Sequence, residues 1–126
     1  RLVIGGKTIP AAIDPHNGYL GGFPGIIEES LYTVRNKQPL FIAGGFGGAA
    51  AILAHLLGIS DNIPIAAEAT AAIEINRRYK NAITEIRDLY DRQLSGLDDE
   101  DLRRLTTTQR ASELAGLVIK GIAASK

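Results

Sequence analysis

Short apolar runs alternate with glycine pairs in the first half of the chain. Leu2–Ile4 is an uninterrupted apolar run that stops at Gly5 and Gly6, and Pro39–Gly44 is a second such run. A short apolar run bounded by turn residues is typical of a strand that is buried on both faces. We therefore predict strands over 2–4 and 39–44.

Helical spacing of apolar residues follows each predicted strand. Ile27, Leu31 and Val34 lie on one face of a predicted helix over 24–37, and Pro24 suits its first turn. A second helix is predicted over 47–58. The intervening residues 7–23 carry two prolines and several glycines, so we predict a long loop. This order of elements indicates an α/β fold with a parallel sheet and Gly-rich strand–helix loops.

The second half of the chain reads as helical. Residues 62–68 could supply a small third strand or a connection, and one long amphipathic helix is predicted over 71–93, ending before Gly96. A short helix over 98–107 and a last helix over 112–124 follow. The last helix is expected to bury Leu114, Leu117, Val118 and Ile122. Two strands are too few for a stable doubly wound sheet, so we expect further strands upstream and treat 1–126 as the C-terminal part of a larger domain.

The composition of the chain argues against several classes of function. The chain has 126 residues, with 14 basic and 14 acidic side chains, which gives no electrostatic reason to expect a nucleic-acid or membrane partner. No apolar run is long enough for a transmembrane helix. The absence of cysteine excludes disulfides, zinc–thiolate sites and thiol catalysis, and fits a reducing cytoplasm. Two histidines are too few to suggest a metal site.

The second predicted strand runs directly into a glycine-rich turn, "AGGFGG", made of Gly44, Gly45, Phe46, Gly47 and Gly48. In open α/β sheets, ligands bind where a strand ends and a helix begins. Free amides and the dipole at the helix start would favour a phosphate there. The spacing matches neither a dinucleotide fingerprint nor a Walker loop, since no lysine follows Gly48. The alternative is a tight turn that allows close helix packing.

Gly5, Gly6 and Lys7 end the first predicted strand. If the two strands are neighbours, both glycine turns face the same rim, and the Lys7 ammonium could reach a phosphate; the alternative is an exposed loop lysine. Gly25 opens the first helix, and Glu28 and Glu29 follow. One of these carboxylates could accept hydrogen bonds from ribose hydroxyls, or serve as an acid or base. The alternative is that they complement the helix dipole.

At these residues the chain resembles a known family. "VIGGK", "PGIIEES" and "QPLFIAGGFGGAA" resemble the SLOG superfamily, the Rossmann-like fold shared by cytokinin-activating LOG proteins and DprA/Smf. The resemblance is nearest to the branch joined to TIR or sirtuin-like domains in bacterial anti-phage defence, and it covers nearly the whole chain. It implies a sensor of nucleotide-derived signals such as ADP-ribose or cyclic ADP-ribose, attached to an effector domain that consumes NAD.

The same resemblance carries the site residues over by position. The matched ligand-binding positions are Gly5, Gly6, Lys7, Pro24, Gly25, Glu28, Glu29, Gly44, Gly45, Phe46, Gly47 and Gly48, and Arg1 stands just ahead of them. LOG enzymes carry a PGGxGTxxE pattern, whereas "PGIIEES" lacks its second glycine and its Gly-Thr pair. Binding without turnover is therefore expected, with no catalytic residue, metal or cofactor in this domain.

Three functions stay open at this stage. The first is a cytoplasmic nucleotide sensor that controls a linked effector through homo-oligomerisation. The second is a LOG-like nucleotide N-glycosidase in which Glu28 or Glu29 assists departure of the base. The third is a structural assembly module whose glycine turns serve only packing.

Overall fold

The sheet of this protein has two parallel strands in the part of the chain that the structure describes, which is residues 1–59, 65 and 67–125 of a computed structural model. Strand β1, Leu2–Ile4, pairs with β2, Phe41–Ala43, with Val3 opposite Ile42. Both predicted strands are confirmed as parallel neighbours. β2 is buried throughout, whereas β1 buries only Val3, and Leu2 and Ile4 stay exposed, contrary to the prediction of two covered faces.

Helices make up most of the rest of the described chain. They are α1 Gly25–Arg35, α2 Gly48–Leu56, α3 Ala67–Glu74, α4 Arg77–Leu89, α5 Asp99–Thr107 and α6 Ala111–Ala124. Short 3₁₀ turns occupy Gly44–Phe46 and Arg92–Ser95. None of the described helices is both long enough and apolar enough to cross a membrane. The mixed α/β content and the parallel strand pair agree with the predicted fold class.

The two faces of β2 contribute to different apolar clusters. Ile42 packs in the main core with Val3, Ile27, Leu53 and residues of α4. Phe41 and Ala43 point the other way, into a smaller cluster with Leu105 of α5 and with Leu114 and Leu117 of α6. Successive side chains of a strand face opposite sides, so β2 is covered by helices on both faces. This layering is compatible with a Rossmann-like domain.

The single long helix predicted over 71–93 is wrong, because the chain forms two helices there. The break lies at Ile75 and Asn76. The Asn76 side chain accepts a hydrogen bond from the Tyr79 amide at 3.1 Å and so caps the start of α4. An asparagine at this position is a strong helix N-cap, and it overrides the continuous apolar spacing. Ile75, which continues the apolar spacing that predicted one helix, is 82% exposed.

The last helix forms as predicted and buries most of the expected face, with Ile122 as the exception. Leu114 and Leu117 are buried, Val118 is half-buried, and Ile122 is exposed. Gly121 sets this orientation, because a Cβ there would lie 2.4 Å from the Ser95 carbonyl oxygen and 2.8 Å from the Phe41 ring.

The uncertain segment over 62–68 falls largely outside the described residues. Its last two residues, 67 and 68, belong to helix α3 rather than to a strand. The third strand considered for this segment is therefore untested over 62–64 and 66.

Candidate functional site

The two glycine turns that follow β1 and β2 touch each other. The Ala49 amide donates a hydrogen bond to the Gly6 carbonyl at 3.2 Å, and the Ala50 amide donates to the Gly5 carbonyl at 2.9 Å. A Cβ on Gly48 would lie 2.4 Å from the carbonyl carbon of Gly5. The expectation that both turns lie on one rim is therefore met, and only glycine at position 48 permits this approach.

This contact changes which amides a ligand could use. The first amides of a helix have no acceptor within the helix, and we expected those of the second helix to be free. That expectation is wrong for Ala49 and Ala50, which donate to the first turn. By contrast, the amides of Lys7 and Thr8 have no acceptor among the described residues. Any anion at this rim would depend on the first turn as much as on α2.

A cavity of about 460 Å³ opens beside the two turns. Glycines of both turns line it, namely Gly6, Gly47 and Gly48. Its lining also includes the polar residues Lys7, Thr8, Asp14 and Asn17 and the aliphatic residues Ile9, Ala51, Ile52, Ile65 and Ala69. Its volume falls in the range of about 300–1,000 Å³ that is common for small-molecule sites. The cavity therefore combines polar and aliphatic residues in a lining that includes the start of α2.

The polar wall of the cavity is built by a folded loop, residues 7–23. The Tyr19 amide donates to the Ile9 carbonyl at 2.9 Å, and the Ala11 amide donates to the Tyr19 carbonyl at 2.8 Å, which closes the loop on itself. The Lys7 ammonium donates to the Gly18 carbonyl at 3.3 Å. The loop is therefore an ordered wall, and its lysine is held toward the cavity.

Helix α4 anchors the far side of this loop. The Tyr19 and Tyr79 rings meet edge to face at 6.2 Å, and the Asn76 side-chain amide donates to the Gly22 carbonyl at 2.6 Å. Burial raises the pKa of Tyr79 and, more weakly, that of Tyr19, so both phenols stay neutral at physiological pH. The residue that starts α4 thus also holds the loop.

A family model described as SLOG cluster2 matches residues 1–119. The chain belongs to the SLOG superfamily. Comparison with curated proteins found no match, and neither did comparison with solved structures. The membership agrees with the resemblance read from the glycine turns, and it covers all of the cavity described above.

Within this SLOG domain, the predicted site residues fall into separate groups. The cavity lining includes Gly6, Lys7, Gly47 and Gly48. Gly5 is not in the lining, but its carbonyl accepts the hydrogen bond from the Ala50 amide. The remaining glycine-turn residues have other surroundings. Gly44 is buried, a Cβ on Gly45 would lie 2.2 Å from the Thr108 carbonyl oxygen, and Phe46 is 41% exposed away from the cavity lining.

The helix-start residues also lie outside the cavity lining. Gly25 is exposed at the start of α1. Glu28 lines a shallow groove between α1 and α4, and the Glu29 carboxylate lies 3.7 Å from the Arg1 guanidinium. The predicted contact of either glutamate with a sugar stays a prediction, and so does a phosphate contact of Arg1.

Sequence reasoning missed the loop residues that face the cavity, Thr8, Asp14 and Asn17. Asp14 accepts hydrogen bonds from the His16 and Asn17 amides at 3.3 and 3.2 Å, which is an Asx turn. The stretch "DPHNG" carries the turn residues that signal this conformation. It could have placed Asp14 as a fixed carboxylate, but the direction in which the loop folds was not readable from it.

Proposed function

We propose that this SLOG domain is a ligand-sensing module for a phosphate-bearing nucleotide signal of the ADP-ribose or cyclic ADP-ribose type. The observation that carries the proposal is the cavity beside two touching glycine turns, with Lys7 in its lining. Because the turns that follow β1 and β2 contact each other here, a ligand in this cavity would contact both of them.

The residues around Lys7 and the start of α2 offer three complements to a phosphate. Lys7 supplies a positive charge, the Lys7 and Thr8 amides supply donors, and the start of α2 at Gly47 and Gly48 supplies a positive dipole end. Within the described part of the chain, Lys7 has no ion-pair partner, and its ammonium contacts only a carbonyl. A phosphate would therefore pair with a cation that has no ion-pair partner among the described residues.

The aliphatic residues of the lining suit the base of a nucleotide. Ile9, Ile52, Ile65 and Ala69 offer aliphatic surface, against which a planar ring can be buried. In the proposed complex the phosphate contacts Lys7, the base packs against these aliphatic side chains, and the ribose lies between the phosphate and the base. Glu28 or Glu29 would contact a second sugar only if the ligand extends toward α1.

Regulation of a partner domain completes the proposal. We propose that the sensor controls a linked TIR or sirtuin-like NAD-consuming domain in the cytoplasm, through homo-oligomerisation. The loop over 7–23 supports this, because it forms the cavity wall and is also bonded to α4 through Asn76. A ligand can shift such an assembly only by binding one state more tightly than the other.

Packing alone is a second candidate role for the glycine turns, and specific contacts favour it. Gly45 abuts the Thr107 and Thr108 carbonyls, and Gly48 abuts Gly5. These glycines would be required for the fold even if nothing bound. A change at Lys7, which supports no packing, separates the two roles.

Calorimetry with ADP-ribose, cyclic ADP-ribose isomers and NAD tests the proposal. Lys7→Ala should weaken binding about 10- to 100-fold, since a hydrogen bond to a charged group contributes about 1.5–3 kcal/mol. Lys80→Ala is the matched control, because Lys80 is an exposed lysine on α4 that pairs with Glu74 away from the cavity. Equal affinities for the wild type and Lys7→Ala, or no binding of any ligand, would reject the sensor role at this site.

A further inference from the structure

Asp14 is a carboxylate that the loop holds against the cavity without neutralising it. Its Oδ1 accepts hydrogen bonds from the His16 and Asn17 amides. The Asp14 amide and carbonyl are also engaged, donating to Pro10 at 3.1 Å and accepting from Gly18 at 2.8 Å. The side chain is half-buried and lines the cavity. Its position is therefore fixed by four hydrogen bonds of the loop itself.

Asp14 has no ion-pair partner in the part of the chain that the structure describes. No lysine or arginine of the described residues forms an ion pair with it, and Lys7, on the same wall, donates to the Gly18 carbonyl instead. The Asx turn uses Oδ1 and leaves Oδ2 with no donor among the described residues. An ionised carboxylate oxygen accepts hydrogen bonds strongly and repels anions.

We propose that Asp14 determines ligand specificity by accepting hydrogen bonds from the ribose hydroxyls of the nucleotide and by excluding ligands that carry a phosphate at the 2′ position. The inference rests on the proposed function. With the phosphate assigned to Lys7 and the base to the aliphatic lining, Asp14 is the carboxylate acceptor that the described lining offers to the ribose hydroxyls. An acidic acceptor at the 2′-hydroxyl is the physical means by which a site prefers a free ribose over its 2′-phosphate.

The variant Asp14→Asn isolates this role. The asparagine oxygen still accepts from the His16 and Asn17 amides, so the loop keeps its turn, whereas the negative charge and the second acceptor are lost. Asp14→Ala removes the turn as well and serves as the comparison for a purely structural effect. Thermal melting of both variants shows whether the fold is retained.

Calorimetry with ADP-ribose, 2′-deoxy-ADP-ribose and 2′-phospho-ADP-ribose gives the readout, with the deoxy change on the adenosine ribose. The wild type should prefer ADP-ribose to both analogues by about tenfold or more, the discrimination expected when a charge-assisted hydrogen bond is lost. Asp14→Asn should bind ADP-ribose about tenfold more weakly, bind the deoxy analogue nearly as the wild type does, and gain relative affinity for the 2′-phosphate.

The outcomes separate this inference from the function on which it rests. If the wild type binds ADP-ribose but Asp14→Asn leaves all three affinity ratios unchanged, the specificity role is overturned and the sensor role stands. If the ratios change only in Asp14→Ala, the aspartate is structural and the inference is again overturned. If the folded wild type binds none of the three ligands, the sensor role falls and this inference falls with it.

Discussion

Gly48→Ala tests whether the contact between the two glycine turns holds the fold together. Gly48 has a φ of +71°, and a Cβ there would lie 2.4 Å from the Gly5 carbonyl carbon and 2.7 Å from the Gly6 carbonyl oxygen. These neighbours are backbone atoms, which cannot rotate away as the end of a side chain can. The turns must separate, and the hydrogen bonds donated by Ala49 and Ala50 are then stretched or lost.

The expected loss of stability in Gly48→Ala is the sum of three contributions. Left-handed backbone costs an alanine about 1–2 kcal/mol, overpacking about 1–3 kcal/mol, and each lost hydrogen bond about 0.5–1.5 kcal/mol. We expect Gly48→Ala to lower the free energy of unfolding by about 3–8 kcal/mol if both hydrogen bonds are lost. This is a large share of the roughly 5–15 kcal/mol that stabilises a typical domain.

Gly5→Ala is the matched control. Gly5 has a similar φ of +66°, but nothing lies within 4 Å of a Cβ added there. It should cost only the backbone term of about 1–2 kcal/mol. Urea unfolding followed by circular dichroism measures both variants. Equal midpoints for Gly48→Ala and Gly5→Ala would refute the claim that the close approach of the turns matters.

Three further predictions concern α4 and its surroundings. Asn76→Ala should destabilise the fold by about 1–2 kcal/mol through loss of the α4 cap, and Asn76→Asp, which keeps the cap acceptor but loses the donor to Gly22, should cost less in urea unfolding. Tyr79→Phe should leave the melting temperature unchanged or raise it, because the buried Tyr79 hydroxyl has no acceptor among the described residues; a clear drop would contradict this. The hydrogen bonds from Arg35 lower the pKa of Glu85 below its ordinary 4.5, so their contribution is present above that pH and is lost as the pH falls through the folded-state pKa. Glu85→Gln should therefore flatten the acid limb of a stability–pH profile, and an unchanged acid limb would count against the ion pair.

The glycine turns and the strands that precede them could be predicted from the sequence, because the apolar runs and the glycines that end them are local patterns. An apolar run of three residues ended by Gly5 and Gly6 permits few conformations. Parallel pairing then follows from the order of strands and helices. The contact of Gly48 with Gly5 also follows once the strands are neighbours, although no local pattern says that it occupies the Ala49 and Ala50 amides.

The errors arose where a side chain acts at long range. Asn76 ends one helix and starts another, yet the apolar spacing across Ile75 is the same as within a continuous helix. Its second partner, the Gly22 carbonyl, lies 54 residues away, so no local window contains it. The orientation of the last helix likewise depends on Gly121 meeting Phe41 across the fold.

The cavity wall was the part of the site that the sequence predicted least well. Residues 7–23 were predicted as a loop, and the way they fold depends on Tyr19 packing against Tyr79 and on the bond from Asn76. Sequence patterns identified the glycines and Lys7, which carry family motifs, but not Asp14 or Asn17, which reach the cavity only because the loop closes on itself.

The central claim is that a nucleotide binds in the cavity beside the two glycine turns. Amide NMR spectra of isotopically labelled protein, recorded during a titration with ADP-ribose, test this claim directly. Saturable shifts are expected at Lys7, Thr8, Gly47 and Gly48, with little change along α6. Shifts confined to the groove at Glu28 would contradict a nucleotide site beside the two glycine turns. The absence of any shift at ligand concentrations of about 1 mM would contradict it as well.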